Sequence, residues 1–395
     1  MLKHALLVGA LCSQLVCTAV AQNGCATSGQ SKLYCLIPTA LHTPPGEFSF
    51  FNTSFATALA QLPLATPASG IVFEYDSNGV LTVSNKDFGP IMTERAETIG
   101  KHKLFVAFTY QHFSFRSIDG TSLHDVPIVL HTADDSVFTE TSNHIAAAVN
   151  QYAIFGTFGL TSRIDVSIAV PIERVSLGMS TSGTEFSTTS GATASFQEYI
   201  PGEASGFGDV VLGAKGTAWY GKRMALALGA ELRLPSGDAL NFLGSGAVGV
   251  KPYATLSGNG KISPHANLGY QWNGNSVLNT NSAGQEQQLP TYLFYYFGVD
   301  AAATKRLTLV ADYLGQEFFN APRVTTPTPH DIPNQGLSFP SIAPYTGSYN
   351  ASNVALGVKL NPWKQLLITG NMLVRVNDGG LHANITPLIG ISYTH

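Results

Sequence analysis

From Met224 to Leu234, Met224, Leu226, Leu228, Ala230, Leu232 and Leu234 share one parity, while Ala225, Ala227, Gly229, Glu231 and Arg233 hold the other. Successive side chains of a strand point to opposite faces, so this alternation predicts a strand with one apolar face and one charged face. The residues before it repeat the pattern: Val210, Leu212, Ala214, Ala218 and Tyr220 oppose Asp209, Gly213, Lys215 and Thr217. A tight turn around 220–223 joins the two halves into a hairpin. The same alternation recurs along the chain from Lys103 onward. It is cleanest in Ile164, Val166, Ile168, Val170 and Ile172, which oppose Asp165, Ser167, Ala169 and Glu173.

Taken in order, the pattern predicts about twelve long strands, with fourteen as the alternative. They begin near Lys103 and pair as 144–160 with 163–176, 207–220 with 224–234, 248–257 with 261–273, 291–303 with 307–316, and 351–360 with 365–376. The last is 381–394. Gly258-Asn-Gly260 is a strong hairpin signal. The turns within these pairs are short. The opposite connections, 117–143, 177–205, 235–246, 274–290 and 317–350, are long and rich in turn residues. Short turns at one end and long loops at the other are the pattern of an all-β, antiparallel, up-and-down transmembrane barrel. A secreted β-sandwich or β-helix is the alternative. Ahead of the barrel, Phe51, Phe55, Ala58, Leu59 and Leu62 recur at helical spacing. A small hairpin is expected at 71–75 and 80–84. Residues 22–102 thus form an N-terminal segment, periplasmic or folded into the lumen as a plug, and 103–395 the barrel. Phe51, Phe55, Glu94, Arg95 and Glu97 are its candidate plug residues.

Composition sharpens this picture. Charged residues make up 12% of the chain, about half the usual share of soluble domains. The net charge of −4 and the absence of a basic tract give no footing for a nucleic-acid partner. Lys3 and His4, an apolar run over 5–16, and Ala19-Val20-Ala21 predict a Sec-type export signal over residues 1–21. Cys25 and Cys35 remain after cleavage and could close a disulfide in an oxidising compartment. Two cysteines alone make no zinc site.

Charges within strand interiors follow the polar parity: Asp165, Glu173, Asp209, Lys215, Glu231, Arg233, Lys251, Asp300, Asp312, Lys359 and Arg375. A Lys or Arg facing lipid at mid-depth costs roughly 2–4 kcal/mol, so these are candidate lumen-facing residues, together with His265. Tyr220, Tyr270, Trp272, Tyr313, Trp363 and Tyr393 lie where aromatic girdles are expected. The near balance of six acids and five bases in that set suits either a cross-linked interior or a polar constriction.

The motifs Gly206–Asp209, Leu234–Asp238, Gly244–Gly246 and His265–Tyr270, within GFGDVVLGAKGTAWYGKRMALALGAELRLPSGD and GSGAVGVKPYATLSGNGKISPHANLGYQWNG, resemble the outer-membrane family described as a putative MetA pathway of phenol degradation. More distantly the chain resembles the FadL and TodX class of hydrophobic-compound transporters. The resemblance implies a barrel with an N-terminal hatch and passive uptake of small hydrophobic or aromatic solutes. Its implied partners are outer-membrane lipid, such a solute and the barrel-assembly machinery of a Gram-negative bacterium. The last residue is His395, and Tyr393 holds the position of the terminal aromatic those barrels carry.

Other chemistry fits less well. Gly244–Gly249 matches G-x-G-x-x-G, but no helix follows, so it is no dinucleotide site. His124, Asp125, His131, Asp134, Asp135 and His144 cluster near one loop and read as solvated groups rather than a metal site. Ser263 and His265 share the inward parity, yet nothing marks them as an activated pair. No enzyme activity, cofactor or metal is expected. The rival function is a structural or surface-binding barrel without transport.

Overall fold

The computed structural model describes residues 32–43, 49–62 and 88–395, apart from 133, 259, 282–283, 333–335 and 364, together with the backbone of 73–75 and 81–83. The export signal expected over 1–21, and Cys25, lie outside the described residues.

Among these residues, twelve long strands close on themselves. They are β1 (Leu104–Ile118), β2 (Val137–Gly159), β3 (Ile164–Ser187), β4 (Val210–Tyr220), β5 (Met224–Leu234), β6 (Gly249–Gly258), β7 (Ile262–Asn273), β8 (Thr291–Thr304), β9 (Leu307–Val324), β10 (Pro344–Trp363), β11 (Leu366–Arg375) and β12 (Ile385–Thr394). Each pairs antiparallel with the next. The ring closes through Ile391↔Phe108 between β12 and β1, and Phe108↔Ile154 between β1 and β2. Closure leaves no open edge in lipid, which an all-strand membrane protein requires.

The outward parity of every strand carries the exposed apolar residues. On β3 these include Ile164 and Ile168, on β5 Leu228 and Leu232, on β7 Leu268, on β12 Ile389 and Ile391. Aromatic side chains bound this belt. Tyr110 and Tyr152 lie 5.1 Å apart between ring centres, and Tyr295 and Tyr313 6.4 Å, at the long-loop edge. Trp219, Tyr220, Trp363 and Tyr393 mark the short-turn edge. Leu228 is 57% exposed in mid-belt. Leu228→Arg is therefore expected to destabilise the barrel by about 2–4 kcal/mol, read as a shifted urea midpoint for folding into vesicles. An unshifted midpoint would place Leu228 outside the hydrocarbon.

Several segments expected to be loops are strand. β2 begins at Val137, β3 runs to Ser187, Thr193–Phe207 pairs with β3, β9 reaches Val324 and β10 starts at Pro344. Above the membrane the outward face turns polar, while the inward face stays buried against the N-terminal segment, as Val149, Val175, Leu177 and Met179 do. The ladder continues there, but the outward apolar parity that marks the membrane strands is lost. The last stretch is broken at Asn384, so Leu381–Ala383 is a separate short strand that pairs with β1.

The described N-terminal elements are α1 (Leu36–Ala40), α2 (Ser49–Ala60) and the paired strands Phe73–Tyr75 and Leu81–Val83. α2 is buried along nearly its whole length. Its hydroxyl-bearing residues turn their groups back to the helix, as Thr57 Oγ1 does to Thr53 O at 2.7 Å. A polar-looking helix can in this way lie inside a barrel.

Candidate functional site: a lumen closed at both ends

The N-terminal segment splits into two stoppers at opposite ends of the lumen. The outer one is α1, α2 and the turn before them, at the long-loop end. Lys32 Nζ bonds Asp238 Oδ2 at 2.8 Å, and Asn241 Oδ1 accepts from Leu33 N at 3.3 Å. Phe55 is fully buried, 5.4 Å from the ring of Phe115 and 5.0 Å from that of Phe242, with the ring of Phe51 tilted against it at 5.4 Å. Apolar packing holds this stopper. Cys35 is buried and disulfide-bonded.

The inner stopper is the irregular run 88–100 at the short-turn end. It has no ladder of its own, so its backbone groups must be satisfied by side chains of the wall. Lys215 Nζ donates to Glu94 Oε1 at 2.6 Å, Arg95 O at 2.7 Å and Glu97 O at 3.1 Å. Lys359 Nζ donates to Phe88 O at 3.0 Å and Pro90 O at 2.6 Å. Asp312 accepts from Met92 N at 3.2 Å and Thr93 Oγ1 at 2.8 Å. Asp165 accepts from Ile99 N at 3.0 Å. Thr217 Oγ1 donates to Ala96 O at 2.6 Å, and Asn267 Oδ1 accepts from Glu94 N at 2.6 Å. Two ammonium groups thus cap carbonyls and two carboxylates cap N–H groups, each matched in sign to the backbone dipole it meets. Gly89 adopts φ +73°, and a Cβ there would sit 2.7 Å from Arg95 Nη2. Arg95 can fold back over the run only because that residue is glycine. Arg95 Nε lies 4.0 Å from Glu97.

The other candidate residues pair with the wall itself. Lys251 meets Glu231 at 2.5 Å, and Arg233 Nε lies 3.7 Å from Asp209. Arg233 also donates to Ala60 O at 2.5 Å, tying the end of α2 to the barrel. Asp209 further accepts from Ser245 Oγ at 2.6 Å, and Glu173 from Gln151 Nε2 at 3.1 Å. Arg375 donates to Asn377 O at 3.0 Å near the outer rim. His265 bonds Asp300 through Nε2, while its Nδ1 lies 2.9 Å from Ser257 Oγ. That hydroxyl accepts from Ala96 N at 2.9 Å. The serine of this Ser–His–Asp chain is wholly buried beneath the stopper, with no room for a substrate.

Between the stoppers lies a chamber of about 140 Å³. Phe155, Tyr253, Tyr292, Phe294 and Tyr296 give it an aromatic side, and polar groups such as Asn267, Gln271 and Gln316 share its walls. Leu62 closes it above and Met92 below. Two acids, Glu94 and Glu231, and two bases, Arg233 and Lys251, reach it, so its formal charge is balanced. Sequence reasoning passed over the aromatic wall. The signal was Tyr292–Phe297, YLFYYF, whose inward parity carries Tyr292, Phe294 and Tyr296 while its outward parity is apolar too. A membrane strand that is aromatic on both faces lines something other than open water.

These features define a class: a closed transmembrane β-barrel whose interior is stoppered by the chain's own N-terminal segment, with the architecture of outer-membrane channels. A family model described as "Putative MetA-pathway of phenol degradation" matches residues 135–326, from just before β2 to just past β9. The resemblance read from the motifs is thereby shown. Among solved structures, the COG4313 outer membrane channel of Pseudomonas putida F1 is similar at 11% identity and a TM-score of 0.48, over 76% of this chain and 98% of that one. The toluene transporter TodX of P. putida is similar at 10% identity and 0.33, over 74% and 89%. A Pseudomonas aeruginosa FadL homologue is similar at 11% and 0.30, over 85% and 97%. No curated protein matches the chain in sequence.

Proposed function

We propose that the chain is a bacterial outer-membrane channel for passive uptake of small hydrophobic or aromatic compounds, exported by a Sec-type signal and inserted by the barrel-assembly machinery. In this reading residues 22–102 are the plug and 103–395 the conduit. Lys215, Lys359, Asp165 and Asp312 hold the inner stopper closed. The observation that carries it is the part-aromatic chamber between the two stoppers. In size, a chamber of about 140 Å³ matches a cavity of about 150 Å³ that takes up benzene, and its aromatic side offers the ring a stacking face while its polar side offers a substituent hydrogen bonds. Its balanced charges favour an uncharged ring with a polar substituent over a free ion.

Uptake into proteoliposomes tests this. Phenol is expected to enter several-fold faster than through protein-free vesicles, and 1-naphthol no faster. Phe294→Ala, which widens the chamber, should narrow that difference. If neither solute enters faster than background, the surface-binding reading stands instead.

A further inference from the structure

The outer face of β1–β3 changes character above the aromatic girdle. Along β1 the outward parity runs Val106, Phe108, Tyr110 and then His112, Ser114, Arg116. Along β3 it runs Ile168, Val170, Ile172 and then Arg174, Ser176. In this quadrant a groove of about 360 Å³ is lined by Arg116, His124 and His144, with the hydroxyl-bearing Ser114, Ser122 and Ser176. The two imidazoles meet edge to face at 4.4 Å. Ala146 and Ala148 form its floor, and their small side chains leave the space open.

The nearby acids are already engaged. Asp125 accepts from Ser142 Oγ at 2.7 Å, and Glu203 from Arg174 Nη2 at 2.8 Å and Ser176 Oγ at 3.3 Å. Arg116 has no acidic partner among the described residues. The groove lining therefore holds a guanidinium, two imidazoles and the Ser114 and Ser122 hydroxyls, and no carboxylate. That is a donor set for a phosphate oxyanion. Its height fixes the source of the phosphate. Arg116 is six residues past Tyr110, or roughly 15 Å along the barrel axis at about 3.3 Å per residue and a tilt near 40°. The groove faces outward at the level of the headgroups and core sugars of the outer leaflet, away from the lumen.

We propose that this groove binds the phosphorylated sugar headgroup of an outer-leaflet glycolipid. The proposal rests on the outer-membrane reading but not on transport, so phenol uptake and lipid binding fail independently. The test uses the full chain, purified in detergent and measured by native mass spectrometry with three probes: bisphosphorylated lipid A, phosphate-stripped lipid A and inorganic phosphate. The bisphosphorylated form should bind, and Arg116→Ala/His144→Ala should weaken it about tenfold or more, as expected for two charge-assisted hydrogen bonds. Arg306→Ala, at the opposite rim, should leave binding unchanged. Both groove side chains are exposed, so the double variant keeps the barrel fold. Equal binding of the stripped lipid, or an undiminished double variant, overturns the proposal. Inorganic phosphate that binds the groove while the lipid does not would assign a free anion instead, and also overturns it.

Discussion

Replacing Lys215 by methionine is expected to release residues 88–100 from the wall while the barrel stays closed. The lysine is 5% exposed, and its one ammonium group satisfies Glu94 and two backbone carbonyls. Removing one partner of such a buried pair costs about 3–5 kcal/mol, because the remaining charge is left without compensation. The twelve strand ladders do not depend on that contact, so the loss falls on the docking of the run. The expected result is a several-fold rise in ion leak through the single barrel in planar bilayers, together with protease cleavage within 88–100. The heat-stable mobility of the folded barrel on gels should not change. Wild-type leak and an uncut segment would show that Lys215 is not what holds the run.

Gly298→Val should do the same by steric force. A Cβ at Gly298 would press on Asp312 Oδ1 and come within 2.5 Å of Thr93 Oγ1. Real Cβ atoms do not make such approaches, so either the stopper or the β8–β9 wall must move. The wall is held by an unbroken register from Phe319 to Leu309, whereas the run is held by side chains. The run is therefore the part that yields. Gly216→Ala, where the nearest atom is 3.7 Å from the added Cβ, is the matched control and should leave both leak and protease pattern unaltered. Equal leak in the two variants would show that close packing at Thr93 is not what seals the inner end.

How far these features could be read from residues alone depends on what each obeys. The transmembrane portions of the strands obey a two-sided solvent, with lipid outside and protein inside. Ile164 to Ile172 alternate so cleanly that both their existence and their sidedness were legible. Past Ile172 the outward face carries Arg174, Ser176 and Gly178, and the apolar positions move to the inward parity as Val175, Leu177 and Met179, which pack in the core with α1 and α2, before β3 runs on to Ser187. Keyed to outward apolar residues, the pattern ends at Ile172, and the Ser/Thr/Gly-rich remainder reads as a polar loop. The inward acids and bases were visible by parity, but their partners were not. Lys215 and Glu94 are 121 positions apart. The run FGPIMTERAETIG shows no period, because wall side chains rather than a ladder satisfy its backbone. The helix over 49–60 was visible from Phe51, Phe55 and Leu59, but which end of the lumen it fills depends on Phe115 and Phe242, far along the chain.

The account turns on solute passing through the interior and past residues 88–100. The most direct measurement is phenol uptake by the variant Thr93→Cys/Gly298→Cys. A Cβ at 298 would lie 3.0 Å from Thr93 Cγ2; in the reduced variant it pushes the run away as Gly298→Val does, and a disulfide to residue 93 tethers the run against the wall. With the disulfide formed and verified by mass, uptake into lipopolysaccharide-containing proteoliposomes should fall to the protein-free rate, and reduction should restore it. Equal uptake in the oxidised and reduced states would contradict the account, because the solute would then be crossing without moving the inner stopper.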